Sequence, residues 1–115
     1  MVENKSPDIT ISIVSYNTRD LLQACLNSLC SSQHEGEISL QIIDVDNGSA
    51  DGSVEMVHTE FPAVEVLCSG SNLGYGRANN LAFEKARGRY FLILNSDTEI
   101  EPRTFREITE FLSSH

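Results

Sequence analysis

The stretch YFLILNSDTEI, residues 90–100, opens with an unbroken apolar run and continues with short polar side chains. Such a run predicts a β-strand over residues 89–95 that is covered on both faces, as the strands of a parallel sheet are. Asp97 follows it directly, and a carboxylate at a dry strand end is costly unless it meets a cation or hydrogen-bond donors. Asp97 or Thr98 can instead cap the next turn. The stretch therefore predicts a buried parallel strand, followed by a ligand-binding residue or a capping residue.

Strands and helices are predicted to alternate along the chain, from apolar patterns of period two and of helical spacing. In chain order, the other elements are predicted over residues 9–17, 18–32, 38–46, about 53–59, 63–70, 77–88 and from Pro102 onward. Gly88 is predicted to end the third helix. This alternation predicts an α/β fold with a mostly parallel sheet, right-handed crossovers and helices on both faces.

Composition restricts the class of protein. The chain has 115 residues, the size of one domain, and a formal net charge of −9. The negative charge argues against nucleic acid as a partner and against a basic membrane-docking face. No apolar stretch approaches the roughly 20 residues of a transmembrane helix. Residues 1–8 are polar and are predicted to be a disordered lead-in. Cys25 and Cys30 fall at apolar helix positions, which predicts small core residues in a reducing, cytoplasmic compartment.

Small polar or acidic side chains follow all four predicted strands. Ligands of open parallel sheets bind outside the carboxyl ends of the strands, so we expect these side chains to gather along one edge. They are Ser15, Tyr16 and Asn17 after the first strand, Asp44, Asp46 and Asn47 at the second, Ser69 to Asn72 after the third, and Asn95 to Asp97 after the fourth.

The acidic residues suggest a specific ligand. Asp44 and Asp46 are two apart on a strand and share a face, with Asp46 nearer the edge. Asp46 can accept ribose hydroxyls or a pyrimidine N–H, or it can simply build a tight turn with Asn47 and Gly48. Asp97 can bind a divalent cation that completes its shell with phosphate oxygens and water. A sugar-nucleotide diphosphate with Mg²⁺ or Mn²⁺ would fit this arrangement.

Three segments together resemble the family 2 glycosyltransferases, which have the Rossmann-like GT-A fold. They are ISIVSYNTRDLLQACLNSL, IIDVDNGSADGS and NLGYGRANNLAFEKARGRYFLILNSDTEI. The nearest branch looks rhamnosyltransferase-like. The resemblance implies an inverting transfer of a sugar, with rhamnose as one candidate, from a dTDP- or UDP-sugar to an acceptor hydroxyl. The implied process is the synthesis of a polysaccharide or a cell-envelope glycan.

The resemblance also implies roles for individual residues. Asp97 would be the main protein ligand of Mg²⁺ or Mn²⁺, and Arg77 would reach the diphosphate unless it is a solvated surface arginine. The residues expected to bind the nucleotide sugar are Ser15, Tyr16, Asn17, Asp46, Asn47, Asn72, Arg77 and Asn95. Two of these depart from the family pattern, since many members have aspartate at the positions of Asn47 and Asn95.

Members of the family are normally much longer than this chain. The resemblance therefore implies that residues 9–115 are the donor-binding domain of a truncated enzyme, without the acceptor half and its general base. A glycan or a lipid-linked molecule is the expected acceptor, and the expected location is cytoplasmic, with peripheral attachment to the inner membrane as a variant. The exposed edge of such a sheet predicts a homo-oligomer. The competing hypothesis is a binding module that has lost catalysis.

Overall fold

The structure, a computed structural model, describes residues 6–36 and 38–113. Strands and helices alternate along the chain in the predicted order. The elements are β1 (Ile9–Ser15), α1 (Arg19–Gly36), β2 (Leu40–Asp46), α2 (Ser53–Glu60), β3 (Glu65–Cys68), α3 (Tyr75–Glu84), β4 (Tyr90–Asn95) and α4 (Pro102–Ser113).

The four strands form one parallel sheet with the order β3-β2-β1-β4. β1 lies in the centre, where Ile9 pairs with Leu40 of β2 and with Tyr90 of β4. All four strands run in the same direction, so their carboxyl ends lie along one edge of the sheet. The predicted parallel α/β sheet is confirmed.

Helices cover both faces of the sheet, as predicted. The larger core lies between the sheet and α1, α2 and α4, and it includes Ile11, Leu26, Val57 and Phe105. The smaller core lies on the opposite face, where α3 packs against β1 and β2. Because residues alternate between faces, Asp44 and Asp46 share the face of the larger core with Ile42.

The prediction that β4 is buried on both faces is wrong. β4 is an edge strand, Leu94 is its only buried residue, and the side chain of Ile93 is 46% exposed. The reason is that α3 lies over the middle of the sheet and leaves the outer part of this face open. Phe83 and Phe91 make an edge-to-face contact there, with ring centroids 5.2 Å apart.

The prediction that Gly88 ends α3 is also wrong. The helix ends at Glu84, and Gly88 instead lies against β1, where its N–H donates to Thr10 Oγ1 at 2.8 Å. A Cβ atom at Gly88 would lie 2.7 Å from the carbonyl carbon of Ile9. Glycine is therefore required here by the close approach of two backbones and not by helix termination.

Two further boundaries differ from the predictions. α1 continues to residue 36, beyond residue 32, at which the sequence predicts its end. At the amino terminus, residues 1–5 of the predicted lead-in lie outside the described residues. Pro7 and Asp8, however, are hydrogen bonded to Arg89 and Ser39. These two residues therefore belong to the ordered domain.

The three cysteines are free thiols that lie at different depths in the domain. Cys25 is buried in the larger core, Cys30 is half-buried beside it and Cys68 is exposed. Burial raises the pKa of the Cys25 thiol to about 12, so this thiol stays protonated at neutral pH.

None of the helices in the described part of the chain is long and apolar enough to cross a membrane.

Candidate functional site

The carboxyl ends of the four strands are joined by a series of hydrogen bonds along one edge of the sheet. We call this region the strand-end rim. It comprises the ends of β1 to β4 and the starts of α1 and α3. In the rim, the backbone N–H of Asn47 donates to the carbonyl of Ser15 at 2.8 Å, and the N–H of Ser69 donates to the carbonyl of Asp46 at 3.0 Å. The rim is therefore continuous from β1 to β3.

Asp46 has two carboxylate oxygens with different surroundings. Oδ2 accepts the backbone N–H groups of Gly48 and Ser49 at 3.1 and 2.9 Å, which holds the tight turn after β2. Gly48 has φ of 98°, a conformation that favours glycine. Oδ1 is buried and has no hydrogen-bond partner among the described residues. The turn therefore occupies only one oxygen, and the other is left without a hydrogen bond among the described residues.

Asp44 lies one step deeper on the same face and is fully buried. Its Oδ1 accepts the hydroxyl of Ser15 at 2.7 Å, whereas its Oδ2 has no partner within the described part of the chain. The pKa of Asp44 is raised to about 7, chiefly by burial; the hydrogen bond from Ser15 opposes the rise and the nearby charge of Asp46 adds to it. Near neutral pH this carboxyl group is therefore partly protonated.

Asn47 connects β2 with β3 and with the start of α3. Its Oδ1 lies 3.0 Å from Ser69 Oγ and accepts the N–H of Leu73 at 3.4 Å, and its Nδ2 donates to the carbonyl of Gly74 at 3.4 Å. The amide group of Asn47 thus holds the loop before α3. An aspartate here would lack the Nδ2 donor and could not make the bond to Gly74.

The end of β4 is fixed by contacts to both neighbouring helices. Asn95 Oδ1 accepts the hydroxyl of Tyr75 at the start of α3 at 3.1 Å, and Ser96 Oγ accepts the hydroxyl of Thr18 at 3.3 Å. The side chain of Asp97 is exposed in the turn that follows the strand. Asp97 therefore does not end a dry strand, because β4 stops two residues earlier and the carboxylate is open to solvent.

The other predicted site residues are distributed around the rim. Asn17, with φ of 51°, accepts the N–H of Ala50 and donates its own N–H to Ser49, which connects the ends of β1 and β2. Asn72 Oδ1 accepts the N–H of Gly74 in a local turn. Tyr16 is 48% exposed and Arg77 is exposed on α3.

The rim has few groups that bind metals. The described residues contain no group of three or more His, Cys, Asp or Glu side chains close enough to hold a cation. A divalent cation can nevertheless be held by one carboxylate if phosphate oxygens and water complete its shell. Asp97 fits this arrangement, because its carboxylate is exposed and follows β4.

Sequence reasoning missed two residues of the rim, Thr18 and Tyr75. Both begin or precede a helix, and their partners Ser96 and Asn95 lie 78 and 20 residues away in the chain. The aromatic residue after Gly74 was the available signal, because a large side chain at a helix start beside strand ends can reach across them.

The fold and the order of these motifs are those of a sugar-transferring enzyme family. The family model of glycosyl transferase family 2 matches residues 10–115, and the chain belongs to this family.

A sequence relative and two solved structures illustrate what this chain is similar to. The succinoglycan biosynthesis protein ExoO of Rhizobium meliloti is 31% identical over 108 residues, covering 93% of this chain. Staphylococcus aureus TarS, in a crystal structure with UDP-GlcNAc, superimposes with a TM-score of 0.78 at 23% identity over 94% of this chain. The mannosyltransferase PcManGT of Pyrobaculum calidifontis, in complex with GDP-Man and Mn²⁺, has a TM-score of 0.70 at 20% identity over 91% of the chain. These structural likenesses establish the GT-A fold.

The chain spans about a third of the length of these relatives. It covers 30% of ExoO and 32% of each of the two structures.

Proposed function

We propose that this chain is the donor-binding part of an inverting glycosyltransferase, which transfers a sugar from a nucleotide-diphosphate sugar to an acceptor hydroxyl. The observation that carries the proposal is the unpartnered, buried oxygen of Asp46 on the strand-end rim. An unsatisfied buried carboxylate oxygen costs free energy, and a ribose hydroxyl or a pyrimidine N–H would satisfy it.

Other residues of the predicted donor site have supporting roles in nucleotide-sugar binding. Ser15 and Asn47 hold the ends of β1 and β2 together through their backbones, which keeps Asp46 in place. Tyr16 is exposed beside them and is available to contact a nucleoside. Arg77 is exposed on α3, and its guanidinium group could pair with a diphosphate. Asn95 would contact the ribose or the metal once the hydrogen bond that it accepts from the Tyr75 hydroxyl is broken.

Asp97 is the proposed protein ligand of Mg²⁺ or Mn²⁺. A cation bound there would act as a Lewis acid that stabilises the charge of the leaving diphosphate. The complex of the mannosyltransferase with GDP-Man and Mn²⁺ supports a divalent cation as a companion of the nucleotide sugar. With one carboxylate, the protein by itself would hold the cation weakly, so metal and nucleotide should bind together.

The donor is proposed to be a UDP- or dTDP-sugar, and the UDP-GlcNAc complex of TarS favours uridine. Rhamnose remains a prediction from the resemblance. The similarity to a succinoglycan biosynthesis protein supports a role in polysaccharide synthesis, with a glycan or lipid-linked acceptor. A cytoplasmic location, peripheral at the inner membrane, remains a prediction.

A non-catalytic nucleotide-sugar-binding module is the alternative. The roles proposed for Asp46 and Asp97, hydrogen-bond acceptor and cation ligand, do not include that of a general base for an acceptor hydroxyl. A turnover assay distinguishes the two functions, because only an enzyme would transfer or hydrolyse the sugar of a bound donor.

Calorimetric titration of UDP and dTDP with and without Mn²⁺ tests the donor site. We expect binding that requires Mn²⁺ and that weakens about tenfold to a hundredfold in Asp97→Ala, because a charged partner of the cation is lost. Glu101→Ala removes an equal charge from the exposed start of α4 and should leave the affinity unchanged. Equal affinities with and without metal, and in both variants, would rule out the assignment of Asp97.

A further inference from the structure

Asp44 is a buried titratable residue that the proposed binding mode does not use. Its carboxyl group is fully buried, with one oxygen bonded to Ser15 and the other without a partner among the described residues. It lies next to the rim, one step below Asp46 on the same strand face. A buried carboxylate with a single hydroxyl donor is poorly compensated for the loss of its water.

The groups that face Asp44 do not compensate its charge either. On its own strand the nearest titratable group is Asp46, which is also acidic. Two thiols lie near its charge, Cys25 of α1 and Cys68 of β3; burial is the main cause of their raised pKa, and the charge of Asp44 adds to it. β1 contributes Ile13 at the same register and the hydroxyl of Ser15. No arginine, lysine or histidine within the described ranges forms an ion pair with it.

The two aspartates differ in how well a negative charge is supported. Asp46 receives two backbone N–H groups from Gly48 and Ser49, whereas Asp44 receives one hydroxyl. Hydrogen bonds from N–H groups favour the ionised form of a carboxyl group, and burial favours the neutral form. When both carboxyl groups are dry, Asp44 is therefore the one that takes the proton, and the proton belongs on its unpartnered Oδ2.

We propose that Asp44 is a positioning residue that takes up one proton when a nucleotide sugar fills the strand-end rim, so that donor binding is coupled to pH. The inference rests on the proposed function. A bound nucleoside covers the end of β2 and removes the remaining water near Asp44. This change disfavours the Asp44 carboxylate, and a proton from the buffer converts it to the neutral acid.

The test is a calorimetric titration of UDP-GlcNAc in the presence of Mg²⁺, in buffers with different ionisation enthalpies. Both phosphates of this probe are esterified, so its diphosphate does not titrate near neutrality. We expect an uptake of about half a proton per nucleotide sugar at pH 7 and an affinity that falls about tenfold from pH 6 to pH 8. Asp44→Asn mimics the neutral acid and should bind at pH 8 as tightly as the wild type binds at pH 6, without proton uptake. Glu84→Gln, an exposed site on α3, should keep the wild-type behaviour.

The outcomes separate this inference from the proposed function. Binding by the wild type without proton uptake, or uptake that persists in Asp44→Asn, would overturn the role of Asp44 and leave the donor site intact. Absence of binding at every pH would overturn the proposed function and this inference together. The wild-type measurement decides the matter even if Asp44→Asn fails to fold.

Discussion

Asp44 and Asp46 show how two identical side chains on one strand face acquire different chemistry. Asp46 ends β2 and is anchored by the loop amides, whereas Asp44, among the described residues, is held only by the hydroxyl of Ser15 at the end of β1. Burial raises the pKa of Asp44 to about 7, whereas Asp46 is held by two backbone N–H groups. The sequence predicts that the two residues share a face, but the hydrogen bonds that distinguish them appear only in three dimensions.

The stability of the protein should depend on the ionisation of Asp44. Its pKa is higher in the folded than in the unfolded chain, so the folded protein binds more protons and loses stability as the pH rises from about 4 through about 7. In urea denaturation, Asp44→Asn should match the wild type near pH 4 and exceed its free energy of unfolding at pH 8 by at most about 4 kcal/mol. Glu84→Gln serves as the control. If Asp44→Asn is less stable than the wild type at pH 8, the ionised carboxyl group of Asp44 does not destabilise the folded protein.

At the scale of elements, the connection from α3 to β4 is held by buried polar contacts. Thr10 Oγ1 donates to Gln41 Oε1 at 2.7 Å, and the same Gln41 oxygen accepts the N–H of Arg87 at 2.8 Å. Gly88 then passes so close to β1 that no side chain fits. These contacts fix where β4 enters the sheet, and thereby where its far end and Asn95 meet the rim.

The close approach of Gly88 predicts a large effect of a single methyl group. Gly88→Ala should lower the free energy of unfolding by about 1–3 kcal/mol, because the new Cβ overlaps the backbone of β1. Gly76→Ala is a matched control on α3, where the new Cβ would meet no atom within 4 Å. Chemical denaturation should show this control unchanged or slightly stabilised. Equal stability of both variants would mean that β1 and the α3–β4 connection can separate freely.

The sequence predicts the elements better than their contacts. Apolar periodicity and the polar strand ends were sufficient for the parallel sheet and for placing Ser15, Asp46 and Asn95 at one edge. The burial of β4 could not be predicted, because an apolar run does not reveal whether a helix covers each face. The pairs Tyr75–Asn95 and Thr18–Ser96 depend on how the helices sit on the sheet, which local patterns do not encode. Gly88 was misassigned because glycine serves both helix ends and close backbone approaches.

At the scale of the whole molecule, the two edges of the sheet differ. β3 is short, and Glu65 at its start forms an ion pair with Arg87 at 3.4 Å. β4 is longer, carries no charged side chain and exposes Ile93 on the face that α3 leaves open. Charges and short length protect sheet edges from pairing with another chain. β4 is therefore the edge through which two copies would associate.

Self-association should accordingly depend on Ile93 and on salt. We expect sedimentation velocity to show oligomers of the wild type that increase with ionic strength, because salt screens the repulsion between chains of net charge −9. Ile93→Lys should be monomeric. Leu21→Lys makes the same change at an exposed site on α1 and should associate like the wild type. A monomeric wild type at all salt concentrations would exclude β4 as a self-association edge.

The position of β1 between β2 and β4 has a consequence for biosynthesis. Ile9 pairs with Leu40 and with Tyr90, so β1 has one partner nearby in the sequence and another much further along it. Long loops close more slowly than short ones, and non-local strand pairing delays folding. A nascent chain that emerges from the ribosome can assemble β1, α1 and β2 first. The other edge of β1, however, stays unpaired until β4 has been translated.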